Sequence, residues 1–197
     1  MKEVHEERVK GYFLEAAKDL IRGEGLEVIS ARNVAERAGY SYATLYNYFN
    51  DIRDLIFSCV EDFLEECRTF VQNCTSKAPE GKEHLLAAVS GYCNFFIQYP
   101  GIFDLLFHQK TSAIATAQSK LEKIVEFFPE ITADDWRIIV GENNADNEIS
   151  RIQNAYVYAI HGLLLLYLNN RQVMEYNEVM QKVKELTEQA VQKYAKN

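Results

Sequence analysis

Proline is scarce in this chain of 197 residues, three in all (Pro79, Pro100 and Pro129), and glycine is limited to nine. Strings of alternating apolar and polar residues are equally hard to find, whereas apolar spacings of three and four recur throughout. So few breakers and no two-residue period exclude a sheet protein and predict an all-α fold. The longest apolar stretch, Ala155 to Leu168, is interrupted by His161 and Gly162 and falls short of the roughly 20 residues that cross a bilayer. No membrane span is expected. The four cysteines (Cys59, Cys67, Cys74 and Cys93) stand singly, with no C-x-x-C pair and no secretory signal ahead of them. They read as reduced core residues of a cytoplasmic protein.

Positive charge is also lacking. The formal net charge is −8, which excludes a protein that coats nucleic acid by bulk attraction. Residues 1–55 hold eight Lys/Arg against ten Asp/Glu, a net of −2, and the remainder carries −6. Catalytic spacing is missing as well: His5, His84, His108 and His161 are far apart, and no glycine-rich phosphate loop occurs. Neither catalysis, a metal nor a cofactor is expected. What is present is apolar material, 48% of residues beside 25% charged, enough for the core of a soluble globular protein.

Residues 3–22 set Val9, Tyr12, Phe13, Ala16, Ala17, Leu20 and Ile21 at helical spacing, predicting an amphipathic first helix stopped by Gly23 and Gly25. Ser30 can cap a helix over Ala31–Ala38 that ends at Gly39, and Ser41 can cap another over Tyr42–Tyr48. Two short helices around a glycine turn make a helix-turn-helix. A long helix follows from Asp51 to about Cys74 and joins this head to a body. Thr75–Gly81 reads as a linker. Body helices are expected at Lys82–Gln98, through about His108 after the Tyr99-Pro100-Gly101 break, and at Ser112–Phe127, Asp134–Val140, Asn147–Asn169 and Tyr176–Ala195, with Gly141–Asp146 as a loop. The expected domains are thus 1–55, a helix-turn-helix head, and 56–197, a helical body.

Residues 30–55, SARNVAERAGYSYATLYNYFNDIRDL, combine a Ser cap, V-A-x-x-A-G, a second Ser cap, T-L-Y, an aromatic-Phe ending and Leu55. This pattern resembles the DNA-binding signature of the TetR/AcrR family of transcriptional regulators. The resemblance implies that Ser30, Tyr46 and Tyr48 donate to phosphates, with core packing the other reading of the two tyrosines. It also implies that Ser41, Tyr42, Ala43, Thr44 and Asn47 approach base edges in a major groove. Where the family often carries a Lys three residues after the Phe, this chain has Ile52 with Arg53 beside it. Arg53 can take over the phosphate contact, though its side chain points about 100° away on an ideal helix. Tyr40–Asn50 bears no charged side chain, so affinity must come from neutral donors, helix N-termini and Arg32, Arg37 and Arg53.

The segments Tyr99–Phe103 and Tyr158–Leu163 resemble the body of one TetR subgroup whose late helix carries a His-Gly pair. The expected partners are a palindromic double-stranded DNA operator, a second copy of the chain, and a small apolar or aromatic effector that releases a repressor. Tyr92, Phe95, Phe96, Phe103, Phe107, Trp136, Tyr156 and His161 are the candidate effector pocket, each individually also a candidate for plain core. Ile160, Leu164, Tyr167, Met180, Val183 and Thr187 are the candidate dimer interface, because a helix apolar nearly all round needs cover on every side; burial within one chain is the other reading. A helical interaction protein that keeps the helix-turn-helix without binding DNA is the alternative function.

Overall fold

A computed structural model of the chain describes residues 2–108, 118–141, 146–170 and 173–195. Among the described residues there are nine α-helices and no strand: α1 (Lys2–Glu24), α2 (Ala31–Ala38), α3 (Tyr42–Leu45), α4 (Ile52–Thr75), α5 (Lys82–Gln98), α6 (Pro100–Phe103), α7 (Gln118–Val140), α8 (Asp146–Leu168) and α9 (Tyr176–Tyr194). A 3-10 turn occupies Leu26–Val28, and a single π-helical stretch, Asp104–His108, follows α6. The fold is all-α, as the spacing predicts. It divides into two compact units, Met1–Glu65 with Tyr99–Leu121, and Glu66–Gln98 with Glu122–Asn197.

The first unit is organised by the apolar stripe of α1. Val9, Phe13, Ala16, Ala17, Leu20 and Ile21 are buried, together with Val34, Ala35, Leu45, Leu55 and Phe63 from the following helices and Phe49 from the turn between α3 and α4. Tyr12, expected in the same stripe, is 46% exposed and lies over the Tyr40 ring at 6.3 Å. Lys18 is buried and bridges Glu15 at 2.6 Å and Asp62 at 2.7 Å. Burial pulls its pKa down, but the hydrogen bonds to Asp62 and Glu15 outweigh that and hold it above the ordinary lysine value. The ion pair to Asp62 thereby fastens α1 to α4. In α6, Pro100 takes the first helical position, where its missing N–H costs nothing.

The second unit buries an aromatic layer that includes Tyr92, Phe95 and Phe96 from α5, Phe127, Phe128 and Trp136 from α7, and Tyr156 from α8. Buried Asp135 accepts from the Gly81 amide (3.2 Å) and pairs with His84 Nδ1 (2.8 Å), which ties the start of α5 to α7.

Three elements differ from their predicted limits. The third helix stops at Leu45, and the chain then tightens: the Asn47 amide donates to the Thr44 carbonyl (3.1 Å) and the Tyr48 amide to Leu45 (3.0 Å), three-residue bonds in place of four-residue ones. The two helices expected on either side of Pro129 form one continuous α7. Pro129 removes a backbone donor there, yet Phe127, Phe128, Thr132, Asp135, Trp136 and Val140 bury a single face across it, and packing overrides the local break. Thr75, assigned to the linker, is the last residue of α4. Of the predicted segments, residues 112–117 and 142–145 lie outside the described residues.

Candidate nucleic-acid interface

The turn between α2 and α3 is fixed by backbone bonds that the sequence makes inexpensive. Gly39 adopts φ 78° and ψ 24°, the left-handed region that a Cβ disfavours. Its amide donates to the Glu36 carbonyl (3.1 Å) and the Tyr40 amide to Ala35 (2.9 Å), the paired pattern of a Schellman termination. Each helix opens on a serine. Ser30 Oγ accepts from the Asn33 amide and Ser41 Oγ from the Thr44 amide, both at 3.1 Å.

Capping uses an oxygen lone pair and leaves the serine O–H free to donate. At the second cap, Ser41 Oγ and Thr44 Oγ1 lie 2.9 Å apart; whichever hydroxyl donates, one proton of the pair stays available. Tyr42, Ala43 and Asn47 are exposed, Tyr42 by 61%, while Leu45 turns inward and is fully buried. The exposed side of α3 therefore presents an aromatic ring, a methyl, two hydroxyls and a carboxamide on one short segment. Tyr46 is half exposed. Tyr48 is only partly so, its ring tilted 6.0 Å from Phe13.

The cations around this segment are largely engaged within the chain. Arg37 Nη2 meets Glu24 at 3.0 Å. Arg53 places both Nε (3.0 Å) and Nη2 (2.8 Å) on Asp51 Oδ2, while Asp51 Oδ1 accepts from the Asp54 amide at the start of α4 (2.9 Å). That backbone bond first, and Arg53 second, hold the Asp51 carboxyl below its ordinary pKa. Arg32 is exposed. Lys10, which the motif does not include, sits over the Phe49 ring at 5.6 Å.

Of the candidate pocket residues, Phe103 and Phe107 belong to the first unit, with ring centroids 5.0 Å apart, and the other six to the second. There Tyr92 lies 4.8 Å from Phe96 and 5.7 Å from His161, and Trp136 lies 5.4 Å from Tyr156. Phe128 connects these pairs, 4.7 Å from Tyr92 and 6.0 Å from Tyr156. It was not among the candidates; its place one helical turn from Ile124 was the available signal. Tyr92 Oη and His161 Nε2 are 2.6 Å apart, and burial lowers the His161 pKa to about 4. Tyr156 Oη and Thr187 Oγ1 are 2.5 Å apart. The Trp136 Nε1–H is buried without a hydrogen-bond partner. A separate polar cleft of about 540 Å³, lined by residues such as Arg22, Glu27 and Asp104, lies in the first unit and shares no residue with the aromatic layer.

Four of the six candidate dimer residues are covered within the chain itself. Ile160, Leu164, Val183 and Thr187 have essentially no exposed surface in the single chain, because they pack α8 and α9 inside their own unit, and Thr187 also donates to the Val183 carbonyl (2.7 Å). Tyr167 and Met180 are only partly exposed. The open apolar face of α8 is a different one: Ala155, Tyr158 (72% exposed), Ala159, Leu165 and Leu166, at positions that recur every three or four residues and so share a side.

Comparison with known proteins agrees with the geometry. Residues 13–59 match the model of the bacterial regulatory proteins of the tetR family. The fold is similar to that of a putative TetR-family transcriptional regulator from Mesorhizobium loti (TM-score 0.72, 14% identity, covering 97% of this chain and 98% of that one). It is also similar to a tetR-family transcriptional regulator from Streptomyces coelicolor (0.69, 15%, 93% and 79%) and a TetR transcriptional regulator from Rhodococcus sp. RHA1 (0.62, 15%, 96% and 99%). Among the described residues no helix is long and apolar enough to cross a membrane. Residues 13–59 thus carry a helix-turn-helix that matches the tetR family model, and the fold along nearly the whole chain is similar to that of these TetR-family structures.

Proposed function

We propose that the protein is a homodimeric repressor that reads a palindromic operator through α3 and is released from it by a small, uncharged aromatic effector. The observation that carries the reading is the exposed segment at α3, where Tyr42, Ala43 and Thr44 stand on a helix start capped by Ser41 and Asn47 follows just beyond its end. Asn47 offers a carboxamide suited to adenine, and Thr44 a methyl or a hydroxyl to thymine or another base edge. Ser30, Tyr46, Tyr48 and Arg32 are the phosphate partners in this reading, with Arg53 engaged on Asp51.

A dimer supplies what one neutral reading helix lacks. Two copies of α3 about 34–36 Å apart fall in successive major grooves on one side of a duplex. The Tyr158, Leu165 and Leu166 face of α8 is the surface we assign to the two-fold contact, since an exposed apolar stripe on a helix calls for a partner. For the effector, the aromatic layer around Tyr92, Phe128, Trp136 and His161 offers ring faces and an unpaired indole donor, and its histidine is neutral near pH 7. Such a lining favours uncharged aromatic molecules that carry a hydrogen-bond acceptor. Effector binding weakens DNA binding only if the effector prefers the conformation that DNA does not.

Footprinting on fragmented DNA of the source genome tests the reading. Protection of two segments one helical turn apart, with inverted sequences, supports it; a single unpaired footprint contradicts the dimeric part. A mixture showing uniform, sequence-independent protection contradicts the assignment of α3 to base reading.

A further inference from the structure

The corner between α3 and α4 carries one cation, Arg53, and that cation is already satisfied. Its Nε and Nη2 both meet Asp51 Oδ2, at 3.0 and 2.8 Å. The second oxygen of the same carboxylate caps α4 through the Asp54 amide. Asp54 in turn accepts from the backbone and side-chain amides of Asn50, at 3.1 and 3.0 Å. Two carboxylates therefore organise the start of α4, and both residues of the Arg53–Asp51 pair have exposed side chains, 63% and 42%.

An arginine in this state cannot simply add a phosphate contact. It exchanges one anion for another, and the carboxylate it leaves faces the incoming phosphate with like charge. We infer that Asp51 is a brake on DNA affinity, a positioning residue that holds Arg53 in an internal ion pair and away from phosphate. The inference rests on the reading of the head as DNA-binding. Its consequence is selective: bulk attraction to any duplex is reduced, while contacts from Ser41, Thr44 and Asn47 to bases are untouched. An already acidic protein thus depends still more on sequence and less on backbone charge.

Asp51 serves two purposes that a single substitution can separate. Asn is as good a helix cap as Asp, so Asp51→Asn keeps the bond to the Asp54 amide and loses the charge. The test uses the full-length protein and a duplex that wild type enriches from a random pool, with affinity measured across a salt series by fluorescence anisotropy. Asp51→Asn is expected to bind about three- to tenfold tighter near 0.1 M salt, with the slope of log affinity against log salt steeper by about 1.8, the increment for one added phosphate contact in each of the two heads of a dimer. Arg53→Gln is expected to cost less than about twofold alone and about fivefold or more in the Asp51→Asn background, a coupling that a purely structural role of Asp51 would not produce. Asp51→Ser, which also caps, repeats the measurement if the Asn variant folds poorly.

Equal affinity and slope for wild type and Asp51→Asn overturn the inference, as does an Arg53→Gln cost that is the same in both backgrounds. Failure of wild type to enrich any duplex is a distinct result and removes the DNA-binding reading itself.

Discussion

Tyr92 Oη and His161 Nε2 meet at 2.6 Å inside the second unit, their rings stacked at 5.7 Å and an interplanar angle of 21°. Because burial lowers the His161 pKa to about 4, against about 6.5 for the residue in an unfolded chain, the folded protein carries this imidazole neutral. Between those values the unfolded chain binds the proton and the folded one does not. Stability is then full above about pH 6.5 and falls as the pH drops toward 4, by roughly 2–3 kcal/mol from this residue. Urea denaturation at pH 7.5 and pH 4.5 should show a smaller acid loss for His161→Asn than for wild type. An identical loss in the two proteins would show that His161 is not the group responsible.

Gly101 approaches the carbonyl oxygen of Ile21 so closely that a Cβ would collide with it, and the same Cβ would stand 3.1 Å from the Gly25 Cα. Both neighbours are backbone and cannot rotate away. Gly101→Ala is expected to destabilise the first unit by about 2 kcal/mol or more. Gly11, in α1 with nothing within 4 Å of its Cβ position, is the control: Gly11→Ala should gain about 0.5–1 kcal/mol. A shared sign for the two substitutions in chemical denaturation would refute the contact.

The serine caps and the proposed reading face should separate in experiment. Ser30→Ala and Ser41→Ala each remove an acceptor for a helix-start amide and should cost about 1 kcal/mol of stability. Asn47→Ala touches no cap and should leave the urea midpoint unchanged while weakening operator binding about tenfold, in line with about 1–3 kcal/mol for a good base contact. Unchanged operator affinity in Asn47→Ala would remove this residue from the reading face.

The proposed two-fold contact makes its own demand. Leu165 is 40% exposed on the open face of α8, so Leu165→Glu disturbs little inside the chain but sets two like charges against one another across a dimer. Sedimentation at micromolar concentration should give a dimer for wild type and a monomer for the variant. A dimer in both would place the contact elsewhere.

Much of the head was legible because its signals are local. A cap, a small residue and a glycine each act within four residues of chain, and Ser30, Gly39 and Ser41 do in the structure what their positions foretold. The early end of α3 was not legible, since the change from four-residue to three-residue bonds at Asn47 and Tyr48 leaves no compositional mark. In the body, local rules misled where packing was stronger. Pro129 suggested a break, but the buried face running from Phe127 to Val140 carries α7 through it. Helical periodicity showed that α8 is apolar around most of its circumference, yet not which side its own unit covers. Burial of Ile160 and Leu164 and exposure of Tyr158 and Leu165 depend on where α9 and α5 pack, a long-range fact.

Selection of bound duplexes from a random pool by the full-length protein, followed by sequencing, bears most directly on whether this weakly charged head reads DNA. The exposed neutral face of α3 and the proposed pairing of two heads predict enrichment of one inverted repeat, its half-sites about 10–10.5 base pairs apart or a multiple of that spacing, centre to centre. No enrichment over the starting pool would contradict it.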